Sequence, residues 1–145
     1  MNLFALLAGG WWIYWGLLHR GFANRFAWRE GYERAVRCFT RALAHMPANA
    51  RLYYWRGTLY WRELNDPQRA EADLTQAVEL DPRLGRAYLN RAFLRWYALS
   101  PDHDGAAADL RAYLERGSEP YWRAVAQEHL DKLEPGATGP AQAAD

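Results

Sequence analysis

The sequence predicts an all-α protein: an array of about three helical hairpins closed by a capping helix, with an apolar helix at the N-terminus. Three observations carry that expectation. Residues 53–61, YYWRGTLYW, realign with residues 88–96, YLNRAFLRW, at an offset of 35, so that Tyr53, Arg56, Leu59 and Trp61 return as Tyr88, Arg91, Leu94 and Trp96. The same offset relates the segment ending at Pro47 to the one ending at Pro82, with Ala35, Phe39 and Ala42 returning as Ala70, Leu74 and Ala77. Within each unit the apolar residues step by three or four and are bounded by proline, glycine or capping residues, the signature of short packed helices.

The first element is residues 3–18, which carry no charge. Leu3, Phe4, Leu6, Leu7, Trp11, Trp12, Ile13, Trp15 and Leu18 surround a helix axis, and an all-round apolar helix needs cover on every side. An export signal would begin with a positive region and end at small residues, and this segment has neither. A bilayer supplies the cover, although sixteen helical residues reach only about 24 Å against a hydrocarbon core of about 30 Å. Residues 1–18 are therefore expected to anchor the chain in a membrane or membrane complex. Arg20, Arg25 and Arg29 follow closely and would hold the repeats on the cytoplasmic side. Docking into a soluble partner, or pairing with a second copy, are the alternatives. If the segment spans, deleting residues 1–15 should release a folded repeat domain, since the first repeat begins near Gly16.

The repeat domain occupies residues 16–133. In the first unit Ala35, Phe39, Ala42 and Met46 line one helix face, and in the second Ala70, Leu74, Ala77 and Leu80 do so. Small residues on such a face let a neighbouring helix approach closely. Between the second pair of helices, Asn65-Asp66-Pro67 supplies a cap and a proline suited to the first helical position. The third unit departs most: Ala92 stands where Gly57 stood, the turn lengthens through Ser100-Pro101-Asp102-His103-Asp104-Gly105, and Tyr113 takes a place filled by alanine before. Gly117 closes a helix and Pro120 opens another. In that last helix Tyr121, Trp122, Val125, His129 and Leu133 share a face and would cover the end of the array. Residues 134–145 have no apolar period and read as a tail.

Composition narrows the function. Half of the 145 residues are hydrophobic, so the chain has material for a core. Cys38 is the only cysteine, which excludes an internal disulfide framework and a cysteine-based zinc site. Residues 1–51 hold seven arginines against Glu30 and Glu33, so the positive charge follows the apolar segment directly. No phosphate-binding glycine loop, His-Glu-x-x-His helix or paired nucleophile occurs. Asp102-His103-Asp104 reads as a solvated turn, Cys38 as a small core residue, and His19 as an interfacial histidine. No enzyme activity, metal, cofactor or nucleic-acid partner is expected.

The chain resembles the tetratricopeptide repeat family. Its pattern of W-x2-L-G-x2-Y, then A-x3-F, then P is approximated by Tyr53, Gly57 and Tyr60, followed by Ala70, Leu74, Ala77 and Pro82. The first unit offers Phe22, Ala23 and Phe26, then Ala35, Phe39, Ala42 and Pro47. The resemblance implies a curved array whose first helices line a groove for a peptide or helix of another protein. Carried over position by position, the groove would hold Arg51, Tyr54, Trp55, Thr58, Trp61 and Arg62, then Arg86, Leu89, Asn90, Phe93, Trp96 and Tyr97. Aromatic residues between arginines suit an apolar segment with an acidic end. Replacing Trp55 and Phe93 together by Ala should then weaken binding and leave helicity intact. A family sub-type clamps acidic chaperone tails; Arg20, Asn24 and Arg86 correspond to its residues, but Trp55 and Asn90 replace its central Asn and last basic residue, so the clamp is incomplete. The expected function is a non-enzymatic interaction module with protein partners, membrane proteins among them, tethered by the N-terminal helix in contact with lipid. A soluble cytoplasmic adaptor, or a permanent accessory subunit, are the alternatives.

Overall fold

A computed structural model describes residues 3–98 and 101–134. Seven helices follow one another: α1 (Leu3–Phe26), α2 (Arg29–His45), α3 (Ala50–Arg62), α4 (Pro67–Leu80), α5 (Gly85–Tyr97), α6 (His103–Arg116) and α7 (Pro120–Leu133). Among the described residues there is no strand. Helices pair as α1 with α2, α3 with α4 and α5 with α6; α2 then packs on α3, α4 on α5, and α7 on α6. The predicted tail from residue 135 onward, and Ser100 of the third turn, lie outside the described residues.

Local chemistry sets the boundaries. Asp66 caps α4 by accepting from the Arg69 backbone N–H at 3.1 Å, with Pro67 at the first helical position. Asp102 does the same for α6, accepting from Gly105 N–H at 2.9 Å. The segment Asp102-His103-Asp104 is thus a helix start rather than a free turn, and α6 begins earlier than the sequence indicated. Asn49 caps α3 through Leu52 N–H at 3.4 Å.

The repeat faces form the core. Ala35, Phe39, Ala42, Ala70, Leu74 and Ala77 are fully buried. Enlarging Ala70 to Leu should overpack the α3–α4 crossing and cost about 1 to 3 kcal/mol in a denaturant titration, while Arg69→Ala, at an exposed position, should stay within about 0.5 kcal/mol. Tyr113, where the earlier repeats have alanine, is also buried, and a Cβ at Gly117 would meet its ring at 2.3 Å.

A polar ladder repeats with the hairpins. Arg56 of α3 forks onto Asp73 of α4 with two bonds of 2.7 Å and donates to Thr40 of α2 at 2.9 Å. Arg91 of α5 forks onto Asp109 of α6 at 2.8 and 2.7 Å and donates to Thr75 of α4 at 3.1 Å. Each arginine ties three helices. The sequence repeat shows both arginines, but the lengthened third turn moves Asp109 one residue out of the register of Asp73, which hides their partners.

The opening segment differs most from expectation. It is not a separate element: α1 runs unbroken through residue 18 to Phe26. Gly9, Gly16 and Ala23, seven apart, form a stripe buried against α2, where Gly16 meets Phe39 and Gly9 meets Met46. Trp12, Ile13 and Leu17 pack onto the same core. Among the described residues no helix is long and apolar enough to cross a membrane. The reason is physical: one side of α1 is covered by protein, so lipid cannot surround it, and Arg20 and Arg25 belong to the same helix. Removing residues 1–15 would strip Trp12 and Ile13 from the core, so that truncation should lose helical signal and melt earlier, not release an intact domain.

Candidate functional site

The first helices of the hairpins, α1, α3 and α5, bring one set of polar and aromatic side chains together. Arg20 of α1 lies over the Trp55 ring of α3 at 5.7 Å, and Trp55 in turn rests against Phe39 at 5.8 Å. About two turns along α3, Arg62 stacks on Trp61 at 5.2 Å and donates to Asn90 Oδ1 of α5 at 3.0 Å. Asn90 is held by its own Nδ2–H, which donates to the Arg86 carbonyl at 2.7 Å. The Arg86 side chain bonds Glu119 at 2.8 Å, just before α7. Tyr54 lies within electrostatic reach of both Arg20 and Arg86.

Arg20 has an unusual setting. It is half-buried, and its pKa is lowered first by desolvation, with the nearby Tyr54 acting in the opposite direction. It remains a cation at neutral pH. Among the described residues, no carboxylate lies within ion-pair distance of it, whereas Arg56, Arg86, Arg91 and Arg95 are all paired. A partly desolvated cation on an aromatic floor is a ready partner for an incoming acid.

Not every groove position from the sequence is available. Leu89, Asn90 and Phe93 are buried: α7 packs on Leu89 and Phe93, with the His129 ring 5.1 Å from both Phe93 and Trp96, and Arg62 bonds Asn90. Tyr97 is exposed and its hydroxyl lies 3.4 Å from His129 Nε2. Trp61 is shared between the two main core clusters. Arg51 lines a shallow depression with Leu80 and Asp81, at the turn edge, and Asn24 is exposed. The open part of the face is therefore Arg20, Tyr54, Trp55, Arg62 and Arg86. The double change at Trp55 and Phe93 would report on the core as well as on binding, so single changes at Arg20 and Arg62 are the cleaner probes. Glu119, which closes the end of the face, reads in the sequence only as part of a helix start.

Cys38 is buried on α2, and burial pushes its thiol up, with Arg41 and Arg37 pulling partly back. Thiol reagents should label it more slowly in the native protein than in denaturant; equal rates would place Cys38 on an open surface. His19 is shifted down by partial burial and then by Arg34 and Arg37.

The family model described as tetratricopeptide repeat matches residues 50–84, which span α3 and α4. Among solved structures, the Arabidopsis OM64 TPR domain is 28% identical with a TM-score of 0.72, over 88% of this chain and 98% of its own. The second TPR domain of human RPAP3, in complex with the HSP70 peptide SGPTIEEVD, is 26% identical with a TM-score of 0.65, over 86% of this chain and 97% of its own. The first TPR of Spaghetti (RPAP3), bound to the HSP90 peptide SRMEEVD, shares 24% identity with a TM-score of 0.65, over 85% of this chain and 93% of its own. No curated protein sequence matches the chain.

Proposed function

From the premise that the chain is a tetratricopeptide repeat protein, we propose that it is a non-catalytic adaptor that holds a peptide segment of another protein against α1, α3 and α5. The observation that carries this reading is Arg20, the half-buried cation stacked on Trp55 with no carboxylate paired to it among the described residues. A carboxylate of the bound peptide would pair with it, and Arg62, one helix along, would take the same or a second acid. Trp55 and Tyr54 would hold an adjoining apolar side chain, since rigid aromatic rings provide contact area at little entropic cost. Solved relatives that hold peptides ending in EEVD support the class of ligand. The departures at Trp55 and Asn90 favour a peptide with one acid beside an apolar residue over those chaperone tails. An adaptor of this kind needs no spanning anchor.

The test uses three peptides of identical apolar sequence ending in Glu, Gln or Lys amides, titrated against tryptophan emission. The Glu peptide should bind roughly 10- to 100-fold more tightly than the Gln peptide, the range for a charge-assisted contact worth about 1.5 to 3 kcal/mol. Arg20→Ala should remove that preference with the helical signal unchanged. Equal binding of all three, or a preference that survives in Arg20→Ala, would overturn the assignment.

A further inference from the structure

Among the described residues, nothing covers the side of α1 that faces away from α2. Leu3, Phe4, Leu7, Trp11, Tyr14 and Phe22 are each more than half exposed, and at 100° per residue Phe4, Leu7, Trp11, Tyr14 and Phe22 fall within one stripe along the helix. Nothing lies within 4 Å of a Cβ placed at Gly10 or Gly21 on the same side. Exposed apolar surface this continuous marks a contact with something else. Beside the stripe, Trp11, Trp12, Trp15 and His19 form a wall that meets Arg34, Arg37 and Arg41 of α2. Those three arginines are exposed and stand three and four residues apart, on one side of α2. Among the described residues none of them has a carboxylate within ion-pair distance; Glu33, the acid nearest in sequence, pairs with Arg29. Arg41 stacks on Trp12 at 4.4 Å and Arg34 on Trp28 at 4.9 Å, which extends both guanidinium groups over aromatic faces.

We infer that α1 lies flat on an anionic lipid surface, with its apolar stripe in the outer acyl region, its tryptophans at headgroup level and Arg34, Arg37 and Arg41 on lipid phosphates or carboxylates. An apolar helix face flanked by tryptophan and a basic row is the composition of an interfacial helix, which lies in the membrane plane and does not cross it. Charge selects this occupant over a second copy of the chain. A two-fold contact through α1 would bring two unneutralised arginine rows to the same interface, whereas an anionic lipid surface neutralises them. Arg20 points to α3 on the covered side, so the peptide face remains free while α1 is docked.

The experiment is co-sedimentation of the full chain with phosphatidylcholine vesicles and with vesicles of equal parts phosphatidylcholine and phosphatidylserine. The inference predicts partition into the anionic vesicles roughly 100-fold stronger than into the neutral ones at low salt, from three arginines at an anionic surface, and weakening as salt is added. Arg34→Gln/Arg37→Gln/Arg41→Gln should erase the preference, and Leu7→Ser/Trp11→Ser should reduce binding to both vesicles, each with unchanged helical signal, because the substituted side chains are exposed. Failure to sediment with anionic vesicles, or a preference retained in the triple variant, would overturn it. So would elution at twice the monomer mass, reverting to monomer in Leu7→Ser/Trp11→Ser, which would assign the stripe to a second copy. None of these outcomes depends on peptide binding at Arg20.

Discussion

Asp109→Ala is expected to lower stability by about 3 to 5 kcal/mol, a large part of the roughly 5 to 15 kcal/mol that holds a domain of this size. The Asp109 side chain is 4% exposed and accepts two bonds from Arg91 and a third, at 3.1 Å, from Arg95. Removing it leaves Arg91, itself 12% exposed, as a buried cation whose hydrogen-bonded neighbour is Thr75, with the Tyr88 ring and the more distant Glu71 carboxylate beside it. The penalty arises from that orphaned charge more than from the lost attraction, so replacing both partners by apolar residues, Arg91→Met with Asp109→Leu, should recover most of the loss. By contrast Glu128→Gln, which breaks an exposed pair with Lys132, should change stability by less than about 1 kcal/mol. Denaturant titration of the four proteins checks the set. A loss at Asp109 no larger than that at Glu128 would mean that the ladder does not bind the hairpins together.

Gly16→Leu carries the second large effect, about 3 kcal/mol, the upper end of overpacking. A Cβ at Gly16 already falls 2.5 Å from Cε1 of Phe39, and Phe39 is fully buried between α1 and Trp55, so its ring has nowhere to swing. The helices must separate or the ring must leave the core. Gly10→Ala and Gly21→Ala, on the open side of the same helix, should do the opposite and stabilise by roughly 0.5 to 1 kcal/mol each, since alanine loses less backbone freedom in a helix. Thermal melts of the three variants separate the two sides of α1. Similar shifts at Gly16 and Gly10 would contradict the packing of α1 on α2.

How much of this was legible before the structure depends on what a repeat can encode. Gly57, Ala70 and Leu74 announce the α3–α4 hairpin because small residues at fixed spacing mark where helices cross. In α1 the equivalent signal, Gly9, Gly16 and Ala23, is present at a spacing of seven but is masked by apolar residues all round the helix. That surplus on the far side, with Leu3, Phe4, Leu7 and Trp11, gives residues 3–18 the look of a span. Around the site, the family resemblance assigns Leu89, Asn90 and Phe93 to a groove face, yet a helix face does not reveal whether a later helix packs near it, and α7 packs against Phe93. As a groove residue, Arg20 is reached only through the family resemblance. That no carboxylate among the described residues pairs with it depends on where α1 and α3 cross, which a linear pattern does not record. The arginine row on α2 was visible as charge; its alignment with the tryptophans of α1 required the hairpin to close.

The adaptor reading rests on the face shared by α1, α3 and α5, and amide chemical-shift mapping with the Glu-ending peptide tests it most directly. The account predicts that the shifts concentrate at Arg20, Tyr54, Trp55 and Arg62, spread to Asn90 and Arg86 through their hydrogen bonds, and in Arg20→Ala need roughly 10- to 100-fold more peptide to appear. Shifts confined to α2, α4 and α6, or none at any peptide concentration, would contradict it.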